Sequence, residues 1–273
     1  MPIDTINGVR IFWEQTGERG APLVLVHGSW GDHHNWDAVV PALARTFRVF
    51  TYDRRGHSQS ERLATQGSID EDVADLAALI TSRKLAPVHV IGNSGGAVVT
   101  LKLAAARREL FASAIAHEPP LVGMIQEHPM MPVVRQRMKA VIDVLQSGNA
   151  EAAAQQFVEN VALGPGMWEK LPPEVRRTFV FNAPTFLDEM NEPESVMSVD
   201  LARLAAFSRP MLLSEGDQSP PFFGVVLKQI AAALPDAQHH VFHGAGHVPH
   251  LTHADEFIDV ATAFVNAVTA ASL

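Results

Sequence analysis

The sequence contains no cysteine. That excludes disulfides, thiolate nucleophiles and cysteine-based zinc sites. No run of about 18 apolar residues occurs, so no segment is long and apolar enough to span a bilayer as a helix. Basic residues are in deficit: 21 Lys and Arg stand against 30 Asp and Glu, a formal charge of −9 with histidine neutral. A chain of that sign is a poor partner for nucleic acid. The opening stretch, "MPIDTINGVR", lacks the basic-then-apolar order of a secretory leader. A cytoplasmic or processed protein is therefore expected. Internal repeats and low-complexity segments are also missing.

What is present suits a globular fold. Apolar residues make up 47% of the 273 positions and charged ones 19%, enough to build a sizeable core. "APLVLVHG" (21–28) is a continuous apolar run closed by glycine, as expected of a strand buried on both faces. "VRIFWEQTG", "RVFTYD" (48–53), "PVHVIG" and "FASAIAHE" also read as strands. Between them lie helical patterns, in "NWDAVVPALARTF", "SIDEDVADLAALITSRKL" (68–85) and "SGGAVVTLKLAAARR". Ser68 followed by Glu71 predicts a capping box at the start of the second of these. Strands alternating with helices predict an α/β fold, a mostly parallel sheet with helices on both faces.

The alternation stops at Pro120. Up to Ser208 no strand-like run occurs, and helical pieces follow one another near 133–146, 151–162 and 173–190. "SRPMLLSEGDQSPP" and "AQHHVFHGAG" then restore the strand pattern, and "DEFIDVATAFVNAVTAAS" reads as a final helix. The expected organisation is a core of residues 1–119 and 209–273, interrupted late in the chain by a helical cap, 120–208.

Gly92-Asn93-Ser94-Gly95-Gly96 fits G-x-S-x-G between an apolar strand and a helix. The pentapeptide alone is a weak indicator. In this context it predicts a tight strand–turn–helix that lifts the Ser94 hydroxyl above the sheet edge. The turn would also aim the Gly95 N–H at an oxyanion formed there. An ordinary Gly-rich turn is the competing reading.

"GNSGG", "VHGSWGDHHNW", "YDRRGHSQS" and "GAGHVPH", in this order, make the chain resemble the α/β-hydrolases over roughly residues 3–270. The resemblance implies a serine esterase or lactonase, with Ser94 as nucleophile and His247, in the Gly-x-Gly-His stretch, as general base. His243 and His250 are the neighbouring competitors. It implies a second oxyanion N–H from Ser29, whose hydroxyl is a candidate third donor. The acid is open. The usual position three residues after Gly216 is Ser219, and Asp217 lies two residues early. Glu118, at the end of "SAIAHE", matches the arrangement in relatives that carry the acid on the preceding strand, and is preferred over Asp217.

Trp30, Met124, Trp168, Phe222 and Phe223 are the candidate substrate-contacting residues. Met130, Met131, Met138, Met167, Phe179, Phe181 and Phe186 add to an apolar cap, which suits a largely uncharged ester or lactone. Asp53, Arg54 and Arg55 are expected to form a bracing turn rather than an anion site. His33-His34 and His239-His240, as neighbours on strands, would point to opposite faces. No metal and no cofactor are expected. The expected partners are the small-molecule substrate and water, with a homodimer as the candidate assembly. Other readings of the same residues are a carbon–carbon bond hydrolase, with Arg135, Arg137, Arg176 or Arg177 holding a carboxylate, and a cofactor-free haloperoxidase or perhydrolase. A non-catalytic hydrolase-fold receptor is the reading from outside enzymology.

Overall fold

The computed structural model describes residues 2–64 and 68–271. Eight strands form one sheet: β1 (Ile3–Ile6), β2 (Val9–Thr16), β3 (Pro22–Val26), β4 (Arg48–Tyr52), β5 (Val88–Asn93), β6 (Phe111–His117), β7 (Met211–Gly216) and β8 (Gln238–Phe242). Their order is β1-β2-β4-β3-β5-β6-β7-β8. The pairs β1–β2 and β2–β4 are antiparallel; all later pairs are parallel. The apolar runs make this possible. Val24, Leu25, Val90 and Ile91 sit mid-sheet with helices over both faces, and all are essentially inaccessible.

Helices Ile69–Ser82, Gly95–Ala106 and Phe222–Ala233 pack on one face around Val90, Leu101 and Val226. Ala254–Ala271 covers the other, around Leu25, Ile91 and Phe264. The Ser68–Glu71 capping box opens the first of these helices. Between β6 and β7 the described chain is helical, with Met131–Gln146, Ala150–Phe157 and Pro173–Glu189 as its longest pieces. These enclose a separate apolar core of Val141, Ala153, Phe157 and Phe186.

Two elements differ from the sequence reading. β1 was not expected; it is a four-residue edge strand, too short for alternation to register. The helix Phe222–Ala233 directly follows "SPP", and its mostly apolar composition hides a helical stripe.

The topology places the site. β3 leads to β4 on one side, whereas β5 returns to pair with β3 on the other. The carboxyl ends of β3 and β5 therefore flank a switch point, where a crevice forms in open α/β sheets. The register aligns the strand ends: Val26 lies beside Gly92, Asn93 beside His117, His117 beside Ser214, and Gly216 beside Phe242. The residues after each of those ends share one edge.

Candidate active site

Ser94 sits at the turn between β5 and the helix Gly95–Ala106 with φ 55° and ψ −122°. A non-glycine residue there stores about 1–3 kcal/mol of strain. The glycines around it are required by close approach. A Cβ on Gly92 would lie 2.3 Å from the Gly96 carbonyl oxygen, and one on Gly96 only 2.1 Å from that of Val26. The elbow is anchored by the Ser94 N–H, which donates to His117 O at 2.9 Å.

Glu118 follows β6 with φ 46° and is fully buried. Its Oε1 accepts from the Gly216 N–H at 2.8 Å, and its Oε2 lies 2.5 Å from His247 Nδ1. Burial works to raise the Glu118 carboxyl. The His247 hydrogen bond and the imidazoles of His247 and His117 outweigh it and hold the group below its ordinary value. His117 itself is pushed down to about 4 by burial and stays neutral beside the carboxylate. The His247 ring stacks on Phe223 at 4.5 Å, and the His247 carbonyl accepts from Asn93 Nδ2 at 3.0 Å. Both contacts restrict the loop.

Asp217 points elsewhere. It is exposed, pairs with His243 Nδ1 at 3.0 Å and accepts from the Gly244 N–H at 2.8 Å. His250 is buried against Trp36, with ring centroids 4.5 Å apart. Of the three neighbouring histidines, His247 is the one in contact with Glu118.

Ser29, Ser94, Gly95 and His247 line a small apolar chamber of about 60 Å³, walled by Val122, Val134, Met138, Val161, Phe186, Phe222 and Phe223. A larger and more polar cleft of about 440 Å³ opens from the same Ser29, Ser94 and His247, with Asp32, Asp37, Glu174 and Leu251 among its walls. Ser94 thus stands at the junction of two compartments. The chain leaving the helix Ala150–Phe157 continues as a wider π-helical turn, Val158–Ala162, which brings Val161 and Ala162 to the chamber.

Several sequence expectations need correcting. Trp30 does not line either compartment; it is fully buried in the core of the helical insertion, 4.8 Å from Phe157 and 5.1 Å from Phe186. Its φ of 68° turns the side chain away from Ser94's pocket and into that core. Trp168 is in the same core, under the Arg176 guanidinium. Met124 packs on the main core beside the sheet. Only Phe222 and Phe223 of the five candidates border the chamber. Ser29's hydroxyl is not free to serve as a third oxyanion donor, because it donates to Glu189 Oε2 at 2.6 Å.

His33 and His34 are not on a strand. They form a 3₁₀ turn, His33–Trp36, with ring centroids 3.9 Å apart. Asp32, His33 and Asp53 converge closely enough for their ligand atoms to lie within 4.8 Å of one another. Each is already committed: Asp53 Oδ1 to His33 Nδ1 and the His33 N–H, Asp53 Oδ2 to the Gln59 N–H, Asp32 to Ser58 and the His34 N–H. Arg55 pairs with Asp75 at 2.6 Å, and Arg54 with Asp72 and Glu189 at 2.7 Å. The turn is a brace. Glu189 is the functional candidate that sequence reasoning missed; a lone glutamate late in a helix carries no motif.

The chain matches the alpha/beta hydrolase family over residues 23–260. It belongs to that family. A stretch of 109 residues is 38% identical to the dihydrolipoyllysine-residue acetyltransferase component of the acetoin cleaving system of Pseudomonas putida, covering 40% of this chain and 30% of that protein. Another, of 169 residues, is 31% identical to the bifunctional esterase/perhydrolase of Acinetobacter calcoaceticus, covering 60% and 59%. The matched stretch is thus less than two thirds of the length of either relative. Among solved structures, the enol-lactonase of Burkholderia xenovorans LB400 superposes with a TM-score of 0.79 at 21% identity, covering 97% of this chain and all of that one. At that identity the likeness concerns the fold. The family and the fold make the protein a hydrolase-superfamily member, and no described helix is long and apolar enough to cross a membrane.

Proposed function

We propose that the protein is a serine hydrolase that cleaves a small to medium, largely apolar carboxylic ester or lactone through an acyl-enzyme on Ser94. One observation carries the reading: the buried Glu118 carboxylate, 2.5 Å from His247 Nδ1. A carboxylate at Nδ1 keeps that nitrogen protonated and leaves Nε2 as the free base, and Ser94 and His247 line the same chamber. His247 takes the Ser94 proton as Oγ attacks the carbonyl carbon. The Gly95 and Ser29 amides receive the oxyanion, and His247 returns the proton to the departing alcohol. Water then enters and attacks the acyl carbon as it loses a proton to the same imidazole, and His247 returns that proton to Ser94 Oγ as the acid is released.

The two compartments suggest a division of labour. The acyl group stays bound while alcohol leaves and water arrives, which suits the small apolar chamber. The wider cleft, with Asp32, Asp37 and Glu174 on its walls, suits the traffic. We read residues 120–208 as the cap that supplies most chamber walls.

Arg135, Arg137, Arg176 and Arg177 border neither compartment, so none of these four supports the carboxylate clamp that a carbon–carbon hydrolase would need. Perhydrolysis is the second reading, favoured by the esterase/perhydrolase relative. Peroxide in place of water needs the same base. The test is turnover of p-nitrophenyl esters of graded acyl length and of a lactone panel, each with and without peroxide. Wild type and Ser94→Ala are run together. Turnover absent from the variant supports the proposal; equal turnover in both refutes it.

A further inference from the structure

Glu189 ends the helix Pro173–Glu189, is 3% exposed and borders the apolar chamber. A carboxylate on such a wall is costly unless paired. Its Oε1 accepts from Arg54 Nη2 at 2.7 Å, and the same Nη2 donates to Asp72 at 2.7 Å. Its Oε2 accepts the Ser29 hydroxyl at 2.6 Å. Buried ion pairs of this kind roughly break even against apolar side chains, so stability alone is a weak reason for one here.

The geometry around Ser29 supplies a better reason. The loop after β3 is gripped at two points. At His27, Nε2 accepts from the Arg54 backbone N–H at 2.9 Å. At Ser29, the hydroxyl is held by Glu189, itself held by the Arg54 side chain. The next residue, Trp30, has φ 68°, a conformation that costs about 1–3 kcal/mol and persists only where its surroundings enforce it. A Cβ on Gly95 would lie 2.7 Å from Ser29 Oγ and 3.1 Å from Ser29 N, so that hydroxyl and amide both sit directly against the elbow.

We propose that Glu189 is a positioning residue: through the Ser29 hydroxyl it fixes the Ser29 amide as an oxyanion donor, so that the oxyanion hole is complete only with the helical insertion docked. The inference rests on the serine-hydrolase reading. Loss of an oxyanion donor costs about 10²–10³ in kcat. A donor that is present but free to wander should cost less, about 10- to 100-fold, with KM changed by less than about threefold.

The experiment compares Ser29→Ala, Glu189→Gln, the double variant and Ser29→Thr with a short-acyl p-nitrophenyl ester, each with its melting temperature. Phosphonylation rates with a fluorophosphonate provide a second readout of the same oxyanion site. Ser29→Ala leaves the Glu189–Arg54 pair intact and remains informative even if Glu189→Gln folds poorly. Both single variants should lose kcat, the double should lose little more than either, and Ser29→Thr should recover most of it, because the two groups act as one unit. A kcat for Ser29→Ala within twofold of wild type overturns the proposal. So does a Glu189→Gln loss that is as large in the Ser29→Ala background as in wild type, which would mark a merely structural glutamate. Turnover surviving in Ser94→Ala removes the serine-hydrolase reading itself, and this inference with it.

Discussion

Replacing Glu118 by Gln perturbs a single atom, and its consequence follows from two hydrogen bonds. Oε1 accepts from Gly216 N–H at 2.8 Å, and Oε2 faces His247 Nδ1 at 2.5 Å, in a fully buried position. A glutamine has one acceptor oxygen. If that oxygen keeps the Gly216 bond, the amide NH₂ faces Nδ1 and forces it to accept, so the proton moves to Nε2. The imidazole then cannot take the Ser94 proton. If the amide flips, an NH₂ meets a buried N–H, at a cost of about 1–3 kcal/mol. The flipped form keeps the productive tautomer but is disfavoured by that cost, and neither form gives His247 a carboxylate to stabilise the imidazolium that develops. The corresponding change in serine proteases lowers kcat by about 10⁴, or about 5 kcal/mol of barrier. Asp217→Asn should change kcat less than about threefold, since Asp217 is exposed and bonded to His243 and Gly244 rather than His247. Stopped-flow p-nitrophenolate release at saturating ester measures both. A Glu118→Gln kcat within tenfold of wild type, or a larger loss in Asp217→Asn, refutes the reasoning.

Three other outcomes follow from particular contacts. Gly96→Ala places a Cβ 2.1 Å from Val26 O and 2.6 Å from His27 O, both backbone, so β3 must shift; the expected loss is about 3 kcal/mol or more in urea unfolding, and a loss under 1 kcal/mol would mean the elbow is looser than described. Val161 borders both the chamber and an outer groove that contains Arg137, so Val161→Ala should move the kcat/KM optimum toward longer acyl chains; an unchanged ranking across the ester series would count against the chamber as the acyl site. His89 is pushed down to about 4 by burial. Its folded pKa lies below the unfolded value of about 6.5, so its contribution is complete above about pH 6.5 and is lost as pH falls toward about 4, by up to about 1.4 kcal/mol per pH unit. His89→Gln should therefore make the decline in unfolding free energy over that window shallower, and an identical slope would contradict the assignment.

The sequence carried the architecture because buried parallel strands are continuous apolar runs. "LVLV" and "VHVIG" could be recognised without partners. The elbow was legible for a steric reason: Gly92 and Gly96 have no alternative where carbonyls approach within 2.3 Å of an added Cβ. Glu118 was legible only in combination, as an acid at a strand end opposite a departure from the usual acid position. What the sequence could not disclose depends on which way a side chain turns. Trp30 follows Ser29 in the chain, yet its positive φ sends the indole into the helical core. His33-His34 looked like a strand pair and is a 3₁₀ turn. Glu189 lies 160 residues from Ser29, and nothing in either local sequence announces the bond.

The most direct test of the central claim is mass spectrometry of the acid-quenched enzyme during turnover of a slowly deacylating p-nitrophenyl ester. An adduct of acyl mass on the peptide containing Ser94, formed within the burst and absent from Ser94→Ala, is the predicted result. Steady hydrolysis with no adduct, and with activity retained in Ser94→Ala, would contradict the account.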